Sequence, residues 1–521
     1  MTPTLYRPGV QAGPDGFAQL LRAEWVKFRS VRGWVIAMIV AVLAIIALGL
    51  GPSMTGTCGK NGPASGCAGP LGPGGEQVTD SFYFVHRPLA ANGEITVRVT
   101  SLTGQIPTIS GTGMRTGLMP WAKAGIIIKA STRQGSAYAA MMVTGGHGVR
   151  MQYDYTGDLP GLAGSVSAAS PRWLRLTRSG GTLTGYDSAN GTRWTRVGTV
   201  TLAGLARTVP GGLFATSPQY AQTSAGLSSV SGGPSRATGV FGQLSLRGGW
   251  SGGGWSGGGW AGSAIGAPGG PAAGSPGGFA QAAGRLTVTG TGDIAPSVSG
   301  ASGNGVTIAQ TLIGVFAGLI VIVVVGVMFM TSEYRRGLIR VTLAATPRRG
   351  RVLAAKAVVL GAVTFAAGLV ASAVVVTLGQ TVLRNHGVYV WPVTALAEVR
   401  VIAGTAAVLA VAAVIALATA TVLRRSAAAV ASVIVVIVLP YLLTVAVPIL
   451  PLGPADWLAR ASPAAGFAVQ QTLIQYPQVS NVYAPSAGYW PLAPWAGFAV
   501  LCAWAAVALA VATYLLRKRD A

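Results

Sequence analysis

Residues 331–356 read TSEYRRGLIRVTLAATPRRGRVLAAK, a stretch that separates two long apolar runs and gathers basic side chains. Seven of its residues are Lys or Arg (Arg335, Arg336, Arg340, Arg348, Arg349, Arg351 and Lys356), against the single acid Glu333. An excess of Lys and Arg beside membrane-spanning segments marks the side that stays in the cytoplasm. The stretch therefore reads as a cytoplasmic loop, and it sets the topology of the rest of the chain. Its middle, residues 337–346, suits a short helix with Leu338, Val341 and Leu343 on one face, and Pro347 begins a new turn before the next span.

The composition agrees with a membrane setting. The 521 residues are 51% apolar and only 10% charged, with a mean hydropathy of +0.54, which places the chain among integral membrane proteins. Lys and Arg outnumber Asp and Glu by 37 to 13. Their positions argue against nucleic-acid binding: 17 lie in short segments assigned to the inside, three (Arg384, Arg400, Arg460) in outside loops, and 17 in one long domain. Long translocated domains are exempt from the positive-inside rule, so the count that matters is 17 against three. No helix-turn-helix or RNA-binding signature accompanies the charge.

Apolar Phe17, Leu20, Leu21, Trp25 and Phe28 recur at helical spacing, with Arg22, Lys27, Arg29 and Arg32 elsewhere around the wheel. Residues 1–32 are thus expected to be a cytoplasmic N-terminus carrying an amphipathic interfacial helix. The apolar run 33–51 is long for the core of a signal peptide and is expected to be an uncleaved first span, since crossing needs about 20 residues. Five more spans are expected near 306–331, 357–383, 401–423, 427–450 and 494–516. They make six in all, with both termini inside and residues 332–356 as the cytoplasmic loop. Arg424 and Arg425 form a tight inside turn. The last outside loop carries an amphipathic stretch, 455–476, broken at Pro463. No ionisable residue is expected well inside a span, and that argues against a proton- or ion-driven pathway.

Between the first two spans lie about 250 residues without a spanning run. Residues 52–77 are a Gly/Pro-rich linker with Cys58 and Cys67. An exported pair this close suits a small disulfide loop, whereas two cysteines without histidine companions make a poor zinc site. Cys502 is expected to pack inside the last span. From 78 to 248 the pattern is β: Ile95, Val97 and Val99 alternate with polar residues, as do Val149, Met151 and Tyr153. Further strands are expected at 124–129, 137–144, 173–178, 182–187, 194–200 and 240–246, spacing that suits an antiparallel two-sheet sandwich placed outside the cell. Residues 249–305 read as a Gly/Ser/Trp-rich tether, with Trp250, Trp255 and Trp260 five apart, and one more strand is expected within 285–296.

The succession WAKAGIIIKAS (121–131), AYAAMMVTGGHGVRMQY (137–153), RWLRLTRSGGTLTGYDSANGTRWTRVG (172–198) and GVFGQLSL (239–246) is similar to concanavalin-like, laminin-G-like jelly rolls of bacterial proteins. Several relatives of that architecture bind carbohydrate, and some are glycosidases. The closely spaced carboxylates that glycoside hydrolysis needs are missing, the nearest pair being Asp154 and Asp158 across a Gly-containing turn. Trp121, Trp173, Tyr186 and Trp194 are candidates for stacking on a sugar ring, set against the commoner use of such residues in packing.

Catalytic and energy-coupling constellations do not emerge. The chain has no P-loop motif, and His86, His147 and His386 are isolated, so neither a nucleotide site, a metal site nor an enzyme activity is expected.

A glutamate ending a span, a basic pair with glycine, a short amphipathic helix, a proline and a basic approach to the next span together resemble the first cytoplasmic loop of type-two ABC exporter permeases. The likeness is nearest to actinobacterial versions, and it extends to LLRAEWVKFRSVRGW (20–34) and to the count of six spans. The resemblance implies an α-helical polytopic permease subunit in the plasma membrane, with the jelly-roll-like sandwich inserted. It also implies a separate ABC ATPase that binds ATP, so that no cofactor is held in this chain, and a second permease subunit in a homo- or heterodimer. The loop would be the coupling helix: Glu333 anchors its end, Gly337 allows the bend, Arg335, Arg336 and Arg340 meet an acidic groove, and Leu338, Val341 and Leu343 insert as apolar knobs. Membrane lipid is a partner for the basic residues, and an extracellular glycan or peptide for the sandwich. The alternative is a membrane-anchored extracellular binding or sensor protein that recognises a wall glycan or peptide through the sandwich; one anchoring span would suffice for that.

Overall fold

The computed structural model describes residues 16–55, 69–108, 113–223, 230–251, 259–266, 277–282, 284–299, 305–335, 337, 348–446, 452–481 and 483–518. The chain divides into two compact units. One comprises Met1–Thr57, Val306–Thr472 and Ala484–Ala521; the other comprises Cys58–Gly305 and Leu473–Tyr483.

The first unit is helical. Helix α1 (Phe17–Ser30) precedes α2 (Arg32–Thr55). After the inserted unit come a short α3 (Ile308–Thr311) and α4 (Val315–Arg335), then α5 (Arg349–Asn385) and α6 (Ala395–Leu423). The fifth apolar stretch is α7 (Ser426–Val433) continued through α8 (Leu439–Tyr441), followed by α9 (Leu452–Ala461) and α10 (Pro494–Lys518). Among the described residues, six helical stretches are long and apolar enough to cross a membrane.

Local chemistry sets their limits. The Thr307 side chain and Gln310 form a reciprocal capping box at the start of α3, and Thr394 Oγ1 accepts from the Ala397 N–H at 3.3 Å to begin α6. Arg424 takes the left-handed conformation (φ 55°) and closes α6, its N–H bonded to the Ala420 carbonyl. In the fifth stretch Pro440 has no N–H to give, and the helix widens into π-helical turns on either side, Ile434–Val438 and Leu442–Ala446. Helices α2 and α4 approach closely where glycines remove side chains. A Cβ on Gly314 would lie 2.4 Å from the Ile45 carbonyl oxygen, and one on Gly318 would lie 2.4 Å from Ile45 Cγ1.

Two helices begin earlier than the apolar runs suggest: α5 starts at Arg349 and α6 at Ala395. Charged residues therefore lie in the end turns of the spanning helices, none of those described deep inside one. Lys356 is in α5, Glu333 in the last turn of α4, and Glu398 and Arg400 in the first turns of α6. Apolar runs mark where a helix must avoid charge; hydrogen bonding carries it further. Glu398 accepts from Gln380 Nε2 at 3.1 Å, and Arg400 donates to the Gln471 carbonyl. The break expected at Pro463 is present, with α9 ending at Ala461 and the 3₁₀ turns of Pro463–Gln470 buried.

The second unit is all β. Its strands are β1 (Val78–Asp80), β2 (Phe82–Pro107), β3 (Met114–Thr116), β4 (Lys123–Lys129), β5 (Tyr138–Thr144), β6 (Val149–Tyr153), β7 (Gly157–Pro160), β8 (Arg172–Ser179) and β9 (Thr182–Ser188). They continue with β10 (Thr195–Thr201), β11 (Val209–Thr216), β12 (Tyr220–Thr223), β13 (Val230–Gly233), β14 (Arg236–Trp250), β15 (Ala261–Ile265), β16 (Gly277–Ala282), β17 (Arg285–Gly290) and β18 (Ile294–Pro296). The 26-residue β2 joins the two layers. Its first part, up to Leu89, pairs with β11 and β15, and Asn92 to Val99 pairs with β8. Strand β14 runs antiparallel along β2 from Gln105 back to Leu89. The layers close over a core that includes Val85, Ile95, Val97, Ile126, Met141, Leu174, Leu213 and Val288.

Every strand expected from 78 to 248 falls on an observed one. The tether reading of 249–305 needs correction: β15 pairs with β2, and β16 and β17 pair with each other. Trp250 Nε1 donates to the Glu94 carbonyl at 3.0 Å, and the Arg87 guanidinium lies 4.6 Å from the Trp260 ring centre. Strand β17 is the one expected within 285–296 and keeps Leu286 and Val288 buried, whereas Gly-rich composition hid β15 and β16, whose pairing is backbone to backbone.

The strands by which the chain enters and leaves this unit, β1 and β18, pair antiparallel. Fully buried lysines at the two ends of β4 hold them: Lys129 Nζ lies 2.7 Å from Asp80 Oδ2, and Lys123 Nζ lies 2.6 Å from Asp293 Oδ1. Segment Leu473–Tyr483 belongs to the same unit, with Gln478 Nε2 donating to the Thr156 carbonyl at 3.1 Å.

Candidate functional site

The root of the 332–356 loop is a quartet of charges, three of them buried and Lys27 partly exposed. Helix α1 carries Glu24 and Lys27 one turn apart, and the side that bears Glu24 and Phe28 is buried. Glu333 comes from the last turn of α4 and Lys356 from the second turn of α5. Lys356 Nζ donates to Glu24 Oε2 at 2.7 Å and to Glu333 Oε1 at 2.8 Å, and Lys27 Nζ donates to Glu333 Oε1 at 2.5 Å and to Glu24 Oε1 at 3.2 Å. Two ammonium and two carboxylate groups leave the quartet neutral.

Burial makes that balance necessary. Lys356 is wholly buried, and Glu24 and Glu333 are 4% and 2% exposed. An unpaired charge at such depth is costly, and pairing with satisfied hydrogen bonds is what offsets the desolvation. Beside the quartet Phe329 meets both Phe28 and Trp34 edge to face, and Lys356 Nζ lies 4.7 Å from the Phe329 ring centre. For Lys27, burial works to lower the pKa, but the hydrogen bond to Glu333 and the charges of Glu24 and Glu333 together outweigh it, and the ammonium titrates above its ordinary range. Glu333 Oε2 is buried without a hydrogen-bond partner among the described residues.

Of the residues expected to couple to an ATPase, the structure places three. Glu333 is in the quartet. Arg335 ends α4, exposed, at the edge of an apolar cavity of about 540 Å³ lined also by Val324, Met328, Thr331 and Val430. Gly337 has φ 66°, a conformation that favours glycine, and its N–H reaches the Tyr334 carbonyl at 3.3 Å. Arg336, Leu338, Arg340, Val341 and Leu343 lie outside the described residues, as do Cys58 and Cys67. Sequence reasoning missed Glu24 and the reach of Lys356. The signal was available in LLRAEWVKFRS, where an acid and a lysine three apart sit on an otherwise basic helix.

The four aromatics singled out for sugar stacking separate into two places. Trp173, Tyr186 and Trp194 belong to the β8–β9–β10 part of the sheet, where Arg175 is the cross-strand partner of Tyr186, and Tyr186 that of Arg196. The Arg175 guanidinium lies 3.9 Å from the Trp194 ring centre, and Gly191 sits against Trp173. Trp121 stands apart, 6% exposed, with His147 stacked on it at 3.9 Å. Asp158 is engaged by Arg150 and by Gln152, so it does not form a carboxylate pair with Asp154.

A family model described as "ABC-2 family transporter protein" matches residues 216–521, more than half of the chain. The chain belongs to the ABC-2 transporter family. As an ABC-2 family member it is a multi-pass membrane protein and a permease of an ABC transporter, a transport component that is not itself catalytic; the family implies an ABC ATPase as its partner. No curated protein matches the chain. Among solved structures, the GH43 protein BlXynB of Bacillus licheniformis, in a mutant form, aligns at 17% identity over 24% of this chain and 24% of its own length, with a TM-score of 0.17. A functionally unknown protein from Saccharomyces cerevisiae aligns at 14% identity over 37% of this chain and 91% of its own, TM-score 0.20. Scytalido-glutamic peptidase aligns at 7% identity over 40% and 98%, TM-score 0.25.

Proposed function

We propose that this ABC-2 permease is one half of an exporter, driven by a separately encoded ATPase that binds ATP and docks on loop 332–356, and that two such subunits enclose the pathway. Loop and termini face the cytoplasm and the sandwich faces outward, a reading supported by the distribution of Lys and Arg. The observation that carries the proposal is the quartet. Glu333 stands at the start of the loop and Lys356 at its end; Lys356 bonds Glu24 of α1, and Lys27 of α1 bonds Glu333. A displacement of the loop by an ATPase is thereby passed to α1, α4 and α5 together. A bistable element that a nucleotide-dependent partner can bias needs such a mechanical link. Arg335, Arg336 and Arg340 would meet acidic groups of the ATPase, with Leu338, Val341 and Leu343 as apolar contacts.

The test is purification in detergent of the tagged full chain together with the ABC ATPase of its operon, scored as ATP hydrolysis. Association and hydrolysis are expected for the wild type, with loss of both in a Leu338→Ala, Val341→Ala variant that remains monodisperse. A wild type that retains no ATPase would end this reading.

A further inference from the structure

Where α5 begins and α10 ends, a cavity of about 690 Å³ is lined by Arg348, Arg349, Gly350, Arg351, Thr513 and Arg517. Four guanidinium groups surround it, and none of its lining residues is acidic. Arg349 has a structural task, since Nη1 donates to the Leu516 carbonyl at 2.9 Å and ties the two helix ends together. Arg348, Arg351 and Arg517 are exposed and make no ion pair among the described residues. The floor is held open by a glycine. A Cβ on Gly350 would come within 3.4 Å of Thr513 Cγ2 and 3.6 Å of Arg517 Nη2, so any larger side chain there would fill the space between them.

A second feature lies on α10. Trp504, Val507, Val511 and Tyr514 recur at three- and four-residue spacing on one face, and are 43%, 59%, 45% and 60% exposed. On a helix apolar and long enough to span a bilayer, such a stripe faces acyl chains, while Thr513 and Arg517, which line the cavity, lie on a neighbouring face at the end of the same helix. An arginine-lined cavity at the end of a lipid-facing helix lies where phospholipid headgroups do. Guanidinium groups suit phosphate through paired N–H donors. We infer that this cavity holds the phosphate headgroup of an anionic phospholipid. The inference rests on the reading of α5 and α10 as membrane spans, and is independent of which ATPase drives the permease.

The experiment reconstitutes the full chain in phosphatidylcholine vesicles containing a small fraction of spin-labelled phosphatidylglycerol, and measures the motionally restricted lipid. Vesicle flotation separately reports insertion. The wild type should select phosphatidylglycerol over spin-labelled phosphatidylcholine. Arg348→Gln, Arg351→Gln, Arg517→Gln together, and Gly350→Leu alone, should each lower that selectivity by roughly tenfold, given the strength of basic residues at an anionic surface. Arg193→Gln, Arg196→Gln, Arg207→Gln, which removes the same charge from exposed positions of the β unit, should leave it unchanged. Equal selectivity in Gly350→Leu and the wild type would overturn the inference, as would an equal loss in the β-unit control. Displacement of the lipid by inorganic phosphate, but not by chloride of the same ionic strength, would assign the cavity to free phosphate instead. Retained lipid selectivity with lost ATPase association in the Arg348, Arg351, Arg517 variant would assign it to the protein partner. Failure to float would remove the membrane reading itself, whereas flotation without selection removes only the lipid site.

Discussion

Lys356 is the residue on which the helical unit's charge balance turns. It alone bonds both Glu24 and Glu333 from a fully buried position. Lys356→Met leaves two buried carboxylates with Lys27 as their remaining cation, and removing one member of a buried pair typically costs about 3–5 kcal/mol. The expected result is a large fall in thermal stability of the purified chain. Adding Glu333→Gln restores neutrality, so the double variant should be more stable than Lys356→Met alone, a coupling that a double-mutant cycle measures directly. Additive losses would mean that the two groups do not act as a pair. Lys27 supplies the pH dependence. Its folded pKa is raised above the unfolded value of about 10.4, so its contribution is complete below that value and is lost as pH rises through the higher folded one. The stability gap between the wild type and Lys27→Met should therefore hold constant from neutral pH to about pH 10 and close only beyond it. A gap that closes near neutrality would contradict the assignment.

Among the elements, the contact between α2 and α4 depends on absent side chains. Gly314 and Gly318 are four residues apart, the spacing that lets membrane helices approach closely, and both meet Ile45 of α2. Gly318→Leu forces a side chain into Ile45 Cγ1 and Cδ1, at 2.4 and 2.5 Å from its first carbon. Overpacking of this kind costs about 1–3 kcal/mol. A lowered melting temperature in detergent is expected, with Ile45→Ala restoring part of it; no change would place the helices further apart than described. The same elements show what the sequence reveals and what it does not. Spans were legible because an apolar run of spanning length has few other uses, and strands such as β4 and β8 were legible from alternation. The starts of α5 and α6 were not, because Thr394 begins α6 through a capping bond and Arg349 ties the start of α5 to the end of α10, and neither leaves an apolar signature. Strands β15 and β16 were hidden by glycine for the same reason: their pairing is backbone to backbone.

At the scale of the molecule, two charge systems were legible only as composition. Lys123 and Lys129 look like ordinary strand-end lysines, yet each is buried against an aspartate that arrives from a distant strand, Asp293 or Asp80. Glu24 and Lys356 are separated by more than three hundred positions and meet only because α1 lies against α5. Pairings of that kind are set by tertiary contact, and no local pattern announces them. On the proposed reading, an ATPase that moves loop 332–356 moves three helices with it through the quartet.

The most direct measurement places a photo-crosslinking amino acid at Leu338, Val341 or Leu343 of the full chain, with Leu396, 81% exposed in the first turn of α6, as the control. Irradiation with the cognate ATPase present should give a crosslinked permease–ATPase product from the three loop positions and none from Leu396. Absence of the product at all three loop positions, or its appearance from Leu396, would contradict an ATPase docked on this loop.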